Sequence, residues 1–300
     1  MLLGGFERNH TCRIISEFYA DFADFAPLKL NVARIHLGYF SENGMIKAII
    51  YDKDGTLMRF DDFWVPVAKE AIKEIVKRHT NATSETVLKI SAEIGENIGI
   101  FNDTVDPKGI LCGGTYAQFA EAVTETLNKF GFDICVDRRE VEQAVSDNTD
   151  KGVILPACEN LRAKLEKARE QAALFVATTD DRSITEFCLE KLGISDLFDG
   201  IYCDDNGIPH KPDPFAANEI AKKLNAAKNE IFMIGDTNTD KRFADNAGIG
   251  FVFVGSDPLL KEKSEFGAED AGEATDLILN LDENVTPDVI SEAKTDVIPA

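Results

Sequence analysis

Two aspartates one residue apart, Asp52 and Asp54, follow directly on the apolar run Ala48, Ile49, Ile50, Tyr51 and are closed by Gly55. A lone Asp-Gly in such a place is ordinarily a polar turn that ends a strand. The same kind of residue, however, follows the later apolar runs. Thr178 and Thr179 come after LFVA, and Gly235, Asp236 and Asp240 come after IFMI, while Lys211 sits in a loop before a helix. Brought together, these groups would supply what phosphoryl transfer requires: a carboxylate nucleophile, a proton donor, carboxylates to cage a hard cation, and an ammonium for the phosphoryl oxygens. An oxygen-only ligand set without His or Cys suits magnesium better than zinc.

The elements around these residues explain how they could meet. After Pro156 short apolar runs alternate with amphipathic helices: NLRAKLEKAREQ, then AALFVA, SITEFCLEKLG, DGIYCDD, FAANEIAKKL, IFMI, and finally GFVFVG. That alternation predicts a parallel sheet covered by helices on both faces, a three-layer, Rossmann-like α/β core. Ligands of such sheets bind beyond the carboxyl ends of the strands, where the residues above would converge. Between Phe63 and Gly152 the pattern is different. WVPVAKEAIKEIVKRH, SETVLKISAEIGENIGI, TYAQFAEAVTETLNKFG and the weaker DRREVEQAVSDN are helical, with no strand expected between them, and FNDTVDPKGILCGG reads as a loop. The expected organisation is therefore an extension over residues 1–44, an α/β core from 45–62 and 153–285, an inserted all-helical domain over 63–152, and a tail over 286–300. Residues 1–44 carry aromatic runs but no nameable chemistry, and a strand opening at Met45 suggests that they lie outside the fold or even the native chain.

Composition narrows the partners. With 32 basic against 53 acidic residues the net charge is −21, a field that repels nucleic acid and anionic membranes alike. A phosphorylated substrate would be repelled too, unless a cation or a local lysine reverses the sign inside the site. The six cysteines are scattered without a CxxC pair, as in a reduced cytoplasmic protein. No apolar run reaches the ~18 residues of a membrane span, and MLLGGFERNHTC lacks a secretory h-region. An EF-hand reading of DKDG fails, because Gly55 is fourth and Phe63 twelfth where Gly belongs at position 6 and Glu at 12. No GxxxxGK or GxGxxG phosphate loop is present.

Four stretches carry a family resemblance. DKDGT resembles the first motif of the haloacid dehalogenase superfamily, and Thr178 in FVATTD resembles the second. Lys211 in HKPDP is similar to the third, and GDTNTD, with Asp236 and Asp240, to the fourth. All four occur in the expected order. The resemblance implies that Asp52 attacks phosphorus to form an aspartyl-phosphate. Asp54 would protonate the leaving oxygen and then deprotonate water. Magnesium would be held by Asp52, the Asp54 carbonyl and Asp236. Lys211 and Thr178 would bind the phosphoryl group, Thr179 through its amide, and Asp240 would orient Lys211 or a metal-bound water, or serve a structural role. Dehalogenases of this fold lack a carboxylate at the position of Asp54, and ion-pumping ATPases carry Thr there, so neither branch is implied.

The long insertion between the first two motifs resembles the family's helical cap, which implies a small phosphorylated metabolite as substrate. The nearest branch is that of the phosphoglycolate phosphatases, hydrolases of phosphoric monoesters. Specificity is expected from the loop 101–115, including Lys108 and Thr115, and from Arg59 and Trp64 just beyond the nucleophile. The competing readings are a phosphomutase of the β-phosphoglucomutase type, a pyrophosphatase, a nucleotidase, and a non-catalytic binding module. The last requires loss of Asp52, Asp54, Lys211 or Asp236, and all four are present. The oligomeric state is not legible.

Overall fold

The computed structural model describes residues 45–204, 207 and 209–283, so the expected extension over 1–44 and the tail over 286–300 fall outside the described residues. Strand β1 (Ala48–Tyr51) lies at the middle of a six-stranded sheet. It pairs in parallel with β4 (Ala173–Ala177) on one side and β6 (Ile231–Gly235) on the other. Beyond β4 lies β5 (Gly200–Tyr202), and beyond β6 lie β7 (Gly250–Val254) and β8 (Phe266–Ala268), giving the order β5-β4-β1-β6-β7-β8. The chain thus leaves β1 toward one edge and later returns to build the other edge. The crevice this reversal opens is at the carboxyl ends of β1, β4 and β6.

Both faces of the sheet are covered, and β1 shows why its run is continuously apolar. Ala48 and Ile50 pack with Phe175, Ala217, Ile220 and Phe243 on one face. Ile49 and Tyr51 pack with Leu161, Leu165 and Ile278 on the other. A strand buried on both sides has no polar alternate positions. The Tyr51 hydroxyl, fully buried, is satisfied at 2.9 Å by Thr275 Oγ1.

A third hydrophobic cluster holds the helical segment together. It gathers α1 (Phe60–His79), α2 (Ser84–Asn97), α4 (Tyr116–Lys129) and α5 (Arg138–Asp147). The long helix α1 buries Phe63, Trp64, Val67, Ala71, Ile72, Ile75 and Val76 at helical spacing. Thr83, Thr115 and Asp137 cap the three helices that follow it. The chain leaves and re-enters the sheet region by two segments bonded side by side, with Arg59 N–H on Leu155 O, Val153 N–H on Asp62 O and Ala157 N–H on Leu57 O.

The stretch expected to be plain loop is more structured. Ile100–Phe101 (β2) and Thr104–Val105 (β3) form a small antiparallel ladder, and Ile110–Gly113 (α3) is a single helical turn. A strand pair therefore does interrupt the helices. The reason is local: Asn102 and Asp103 both adopt positive φ, the backbone a tight hairpin demands and that Asn and Asp tolerate. The remaining helices are α6 (Leu161–Arg169), α7 (Arg182–Lys191), α8 (Phe215–Leu224), α9 (Asn238–Ala247), α10 (Pro258–Lys263) and α11 (Ala271–Glu283). Among the described residues no helix is long and apolar enough to cross a membrane.

Candidate active site

The ladder carries β1 one residue past its end, because Asp52 N–H donates to Ile234 O at 2.9 Å. This fixes Asp52 at the strand tip beside the end of β6. The chain then turns back on itself, with Leu57 and Met58 N–H groups on Lys53 O and Gly55 N–H on Met58 O. Gly55 takes φ +78° in this turn, and a Cβ there would sit 2.2 Å from Asp236 Oδ2. The missing side chain is thus the space that the Asp236 carboxylate occupies. Thr56, fully buried, donates to Asp236 Oδ1 at 3.2 Å.

Lys211 reaches the same spot from the loop before α8. Its Nζ lies 2.5 Å from Asp52 Oδ1 and 2.5 Å from Asp240 Oδ1. Asp240 is spent on positioning: its Oδ2 accepts from Thr237 N at 3.0 Å and Thr237 Oγ1 at 2.5 Å, in the capping box that starts α9. Both of its oxygens are therefore committed, which favours the lysine-orienting role among those expected for it. Burial works against the Lys211 charge, but Asp240 and Asp52 hold its pKa above the usual lysine range. Burial, partly offset by Lys211, pushes the Asp52 carboxyl up to about 7. Asp236 is raised well above the usual carboxylate range by burial and by the charges of Asp52 and Asp240.

Carboxylate oxygens of Asp52, Asp236 and Asp240 all lie within 4.8 Å of one another. Three carboxyl groups face one ammonium, with Asp52, Asp240 and Lys211 all buried, and every donor is a hard oxygen. This arrangement fits a divalent cation of the magnesium type. With Asp240 tied to Lys211 and Thr237, Asp52 and Asp236 are the side chains free to hold it.

Thr178 extends β4 by one bond, its N–H on Tyr202 O at 2.9 Å, and its hydroxyl oxygen accepts from Asp180 N at 3.2 Å. It is buried, whereas Thr179 is exposed at the loop tip. Asp54 faces the helical segment. Trp64 Nε1 donates to its Oδ1 at 2.9 Å, and Lys53 Nζ meets its Oδ2 at 2.7 Å. The Trp64 indole N–H is thus engaged by Asp54. Arg59 is exposed, 3.8 Å from Asp62. Lys108 is exposed, with its backbone amide on Asp106, and the Thr115 side chain is taken up in capping α4. No hydrogen bond among the described residues links these three to the carboxylates.

Sequence reasoning missed four residues here. Lys53 is wholly buried, and Asp180 pairs with it at 2.8 Å. The Cys112 thiol is pushed up to about 12 by burial and by the charges of Asp236, Asp54 and Asp52. Burial and the charge of Asp180 raise the Tyr116 hydroxyl. For Lys53 a signal existed: a lysine between two aspartates at the end of a buried strand must find a partner.

The profile of the haloacid dehalogenase-like hydrolases matches residues 46–248. The chain belongs to that family. Phosphoglycolate phosphatases of Vibrio cholerae and Vibrio vulnificus (strain YJ016) are each 27% identical to it. The first match runs over 96 residues, 30% of this chain and 42% of the relative, and the second over 120 residues, 38% and 53%. The chain thus spans about half the length of the curated relatives it matches. Among solved structures, a "predicted phosphoglycolate phosphatase" from Haemophilus somnus 129PT superposes with a TM-score of 0.57. It is 18% identical and covers 77% of this chain and 97% of its own, a likeness of fold.

Proposed function

We propose that this protein is a magnesium-dependent phosphatase of small phosphate monoesters, phosphoglycolate-like in substrate, working through an aspartyl-phosphate. The observation that carries the reading is the bridge made by Lys211, 2.5 Å from both Asp52 and Asp240, with Asp236 in the same cluster. Three loop tips far apart in sequence meet there at one strand end.

Asp52 is the nucleophile. Lys211 holds its Oδ1 and favours the ionised form, and its other oxygen attacks phosphorus as the bond from phosphorus to the ester oxygen breaks. Asp54 gives its proton to that leaving oxygen, and then takes one from the water that attacks the aspartyl-phosphate. Phosphate leaves and Asp52 is restored. In this scheme Lys211, the Thr178 hydroxyl and the Thr179 amide bind the phosphoryl oxygens. Asp52, Asp236 and the Asp54 carbonyl would hold Mg²⁺, which when bound offsets the gathered negative charge and orients the phosphoryl group.

The helical segment 63–152 acts as a cap. Its attachment through two adjacent segments supports movement of the whole cluster as a lid that excludes water and limits access. Selection among esters falls to the segment 101–115, where Lys108 is exposed, and to the exposed Arg59 beside the first motif. The strong negative charge leaves small anions drawn in by Lys211 and Mg²⁺ as partners, not nucleic acid or membrane, in a cytoplasmic setting.

Asp52→Asn tests the reading. Turnover of p-nitrophenyl phosphate should fall by about 10³-fold or more while the far-ultraviolet spectrum is unchanged; retained turnover excludes the nucleophile. A panel of phosphorylated metabolites, read by phosphate release, then identifies the ester, and a sugar phosphate isomerised without phosphate release would convert the reading to a mutase.

A further inference from the structure

Lys53 stands between the two aspartates of the first motif, yet its side chain is completely buried. Its neighbours are not those of Asp52. Nζ lies 2.7 Å from Asp54 Oδ2 and 2.8 Å from Asp180 Oδ2, with Met58 Sδ at 3.8 Å and the rings of Phe63 and Trp64 at 5.8 and 5.6 Å. The Asp180 Oδ2 oxygen is itself buried, and its contact with Lys53 is an ion pair. Asp180 is rigidly set: its N–H is on Thr178 Oγ1, and its carbonyl accepts from Asp204 N at 2.9 Å.

A buried ammonium is costly to desolvate, and an apolar side chain at this position would pack between Phe63, Trp64 and Met58 without that cost. Asp54 is the group the arrangement serves. Trp64 takes Oδ1 and Lys53 takes Oδ2, so both oxygens are held, and Asp180, itself beside Asp54, pairs with the same lysine. A carboxylate gripped at both oxygens keeps one orientation toward the pocket, which is what proton transfer to a leaving oxygen needs.

We propose that Lys53 is a positioning residue: paired with Asp180, its buried ammonium fixes the Asp54 carboxyl group for proton delivery to the leaving group. The inference rests on the phosphatase reading of Asp54, and the test is chosen to separate the two. p-Nitrophenolate leaves without needing a proton, whereas an alkoxide does not. A misplaced acid therefore penalises alkyl esters selectively in kcat/KM, which reports steps up to the first P–O cleavage.

The variants are Lys53→Met, Asp54→Asn and their combination, assayed with 2-phosphoglycolate (or another alkyl phosphate that the wild type turns over faster) and with p-nitrophenyl phosphate. Lys53→Met should lower kcat/KM for the alkyl ester about 100-fold and for the nitrophenyl ester by less than about 10-fold. Added to Asp54→Asn it should cause no further loss. Should Lys53→Met alone not fold, Lys53→Met with Asp180→Asn removes both buried charges and is expected to give the same selectivity. Equal losses on the two esters, or losses that multiply with those of Asp54→Asn, overturn the positioning role. If Asp54→Asn is itself unselective, the acid reading falls, and the inference with it.

Discussion

Replacing Gly55 with alanine should cripple the site while leaving the fold standing. The added Cβ would be placed 2.2 Å from Asp236 Oδ2 and 2.6 Å from its Cγ, at a residue whose φ is +78°. The backbone conformation alone costs an L-residue about 1–2 kcal/mol. Since the turn is pinned by the Gly55, Leu57 and Met58 amides, the carboxylate is the part that gives way. To reach ordinary contact it must retreat by about 1 Å, a misplacement that costs about 10²-fold when it falls on a positioned group. The Thr56 bond to Asp236, already 3.2 Å, goes with it. Turnover of p-nitrophenyl phosphate measured against Mg²⁺ concentration should show half-activation moved upward by about 10²-fold. Metal-free melting should drop by only about 2–4 °C per kcal/mol of backbone strain. An unchanged magnesium requirement with wild-type kcat would refute the placement of Asp236 against Gly55 as the determinant of the site.

Three other outcomes are expected. Lys211→Met strands Asp52 and Asp240 without their cation, and should cost about 3–5 kcal/mol in metal-free melts, with turnover lost; a melting point within a degree of wild type would contradict the bridge. The stabilisation given by Mg²⁺ should grow between pH 5 and pH 8. Asp52 is raised to about 7 in the folded chain, so metal-free stability is fullest below the ordinary carboxylate range and is lost as pH rises through the folded value. Thermal shifts with and without Mg²⁺ that are equal at both pH values would refute this. Tyr51→Phe removes a buried bond to Thr275, whose hydroxyl keeps Ala271 O as acceptor, and should cost about 1 kcal/mol without altering turnover.

Much of the site was legible because its residues are bound to the strand pattern. Asp52, Thr178 and Asp236 follow apolar runs that could only be strands buried on both faces, and parallel pairing brings such ends together wherever the intervening chain goes. The helical character of α1, α2, α4 and α5 was legible from spacing of the same kind. The ladder β2–β3 was not, because two-residue strands have no period, and the left-handed pair Asn102–Asp103 gives only a turn signal.

The amino-acid sequence by itself therefore determined which residues stand at the strand tips and what chemistry their types permit. Tertiary structure decided the partners. Whether Lys53 faced Asp52 or Asp180, and whether the Trp64 indole met the Asp54 carboxylate, depend on how α1 packs against the strand ends. Those contacts are set by the packing of side chains distant in sequence, and no local period encodes it.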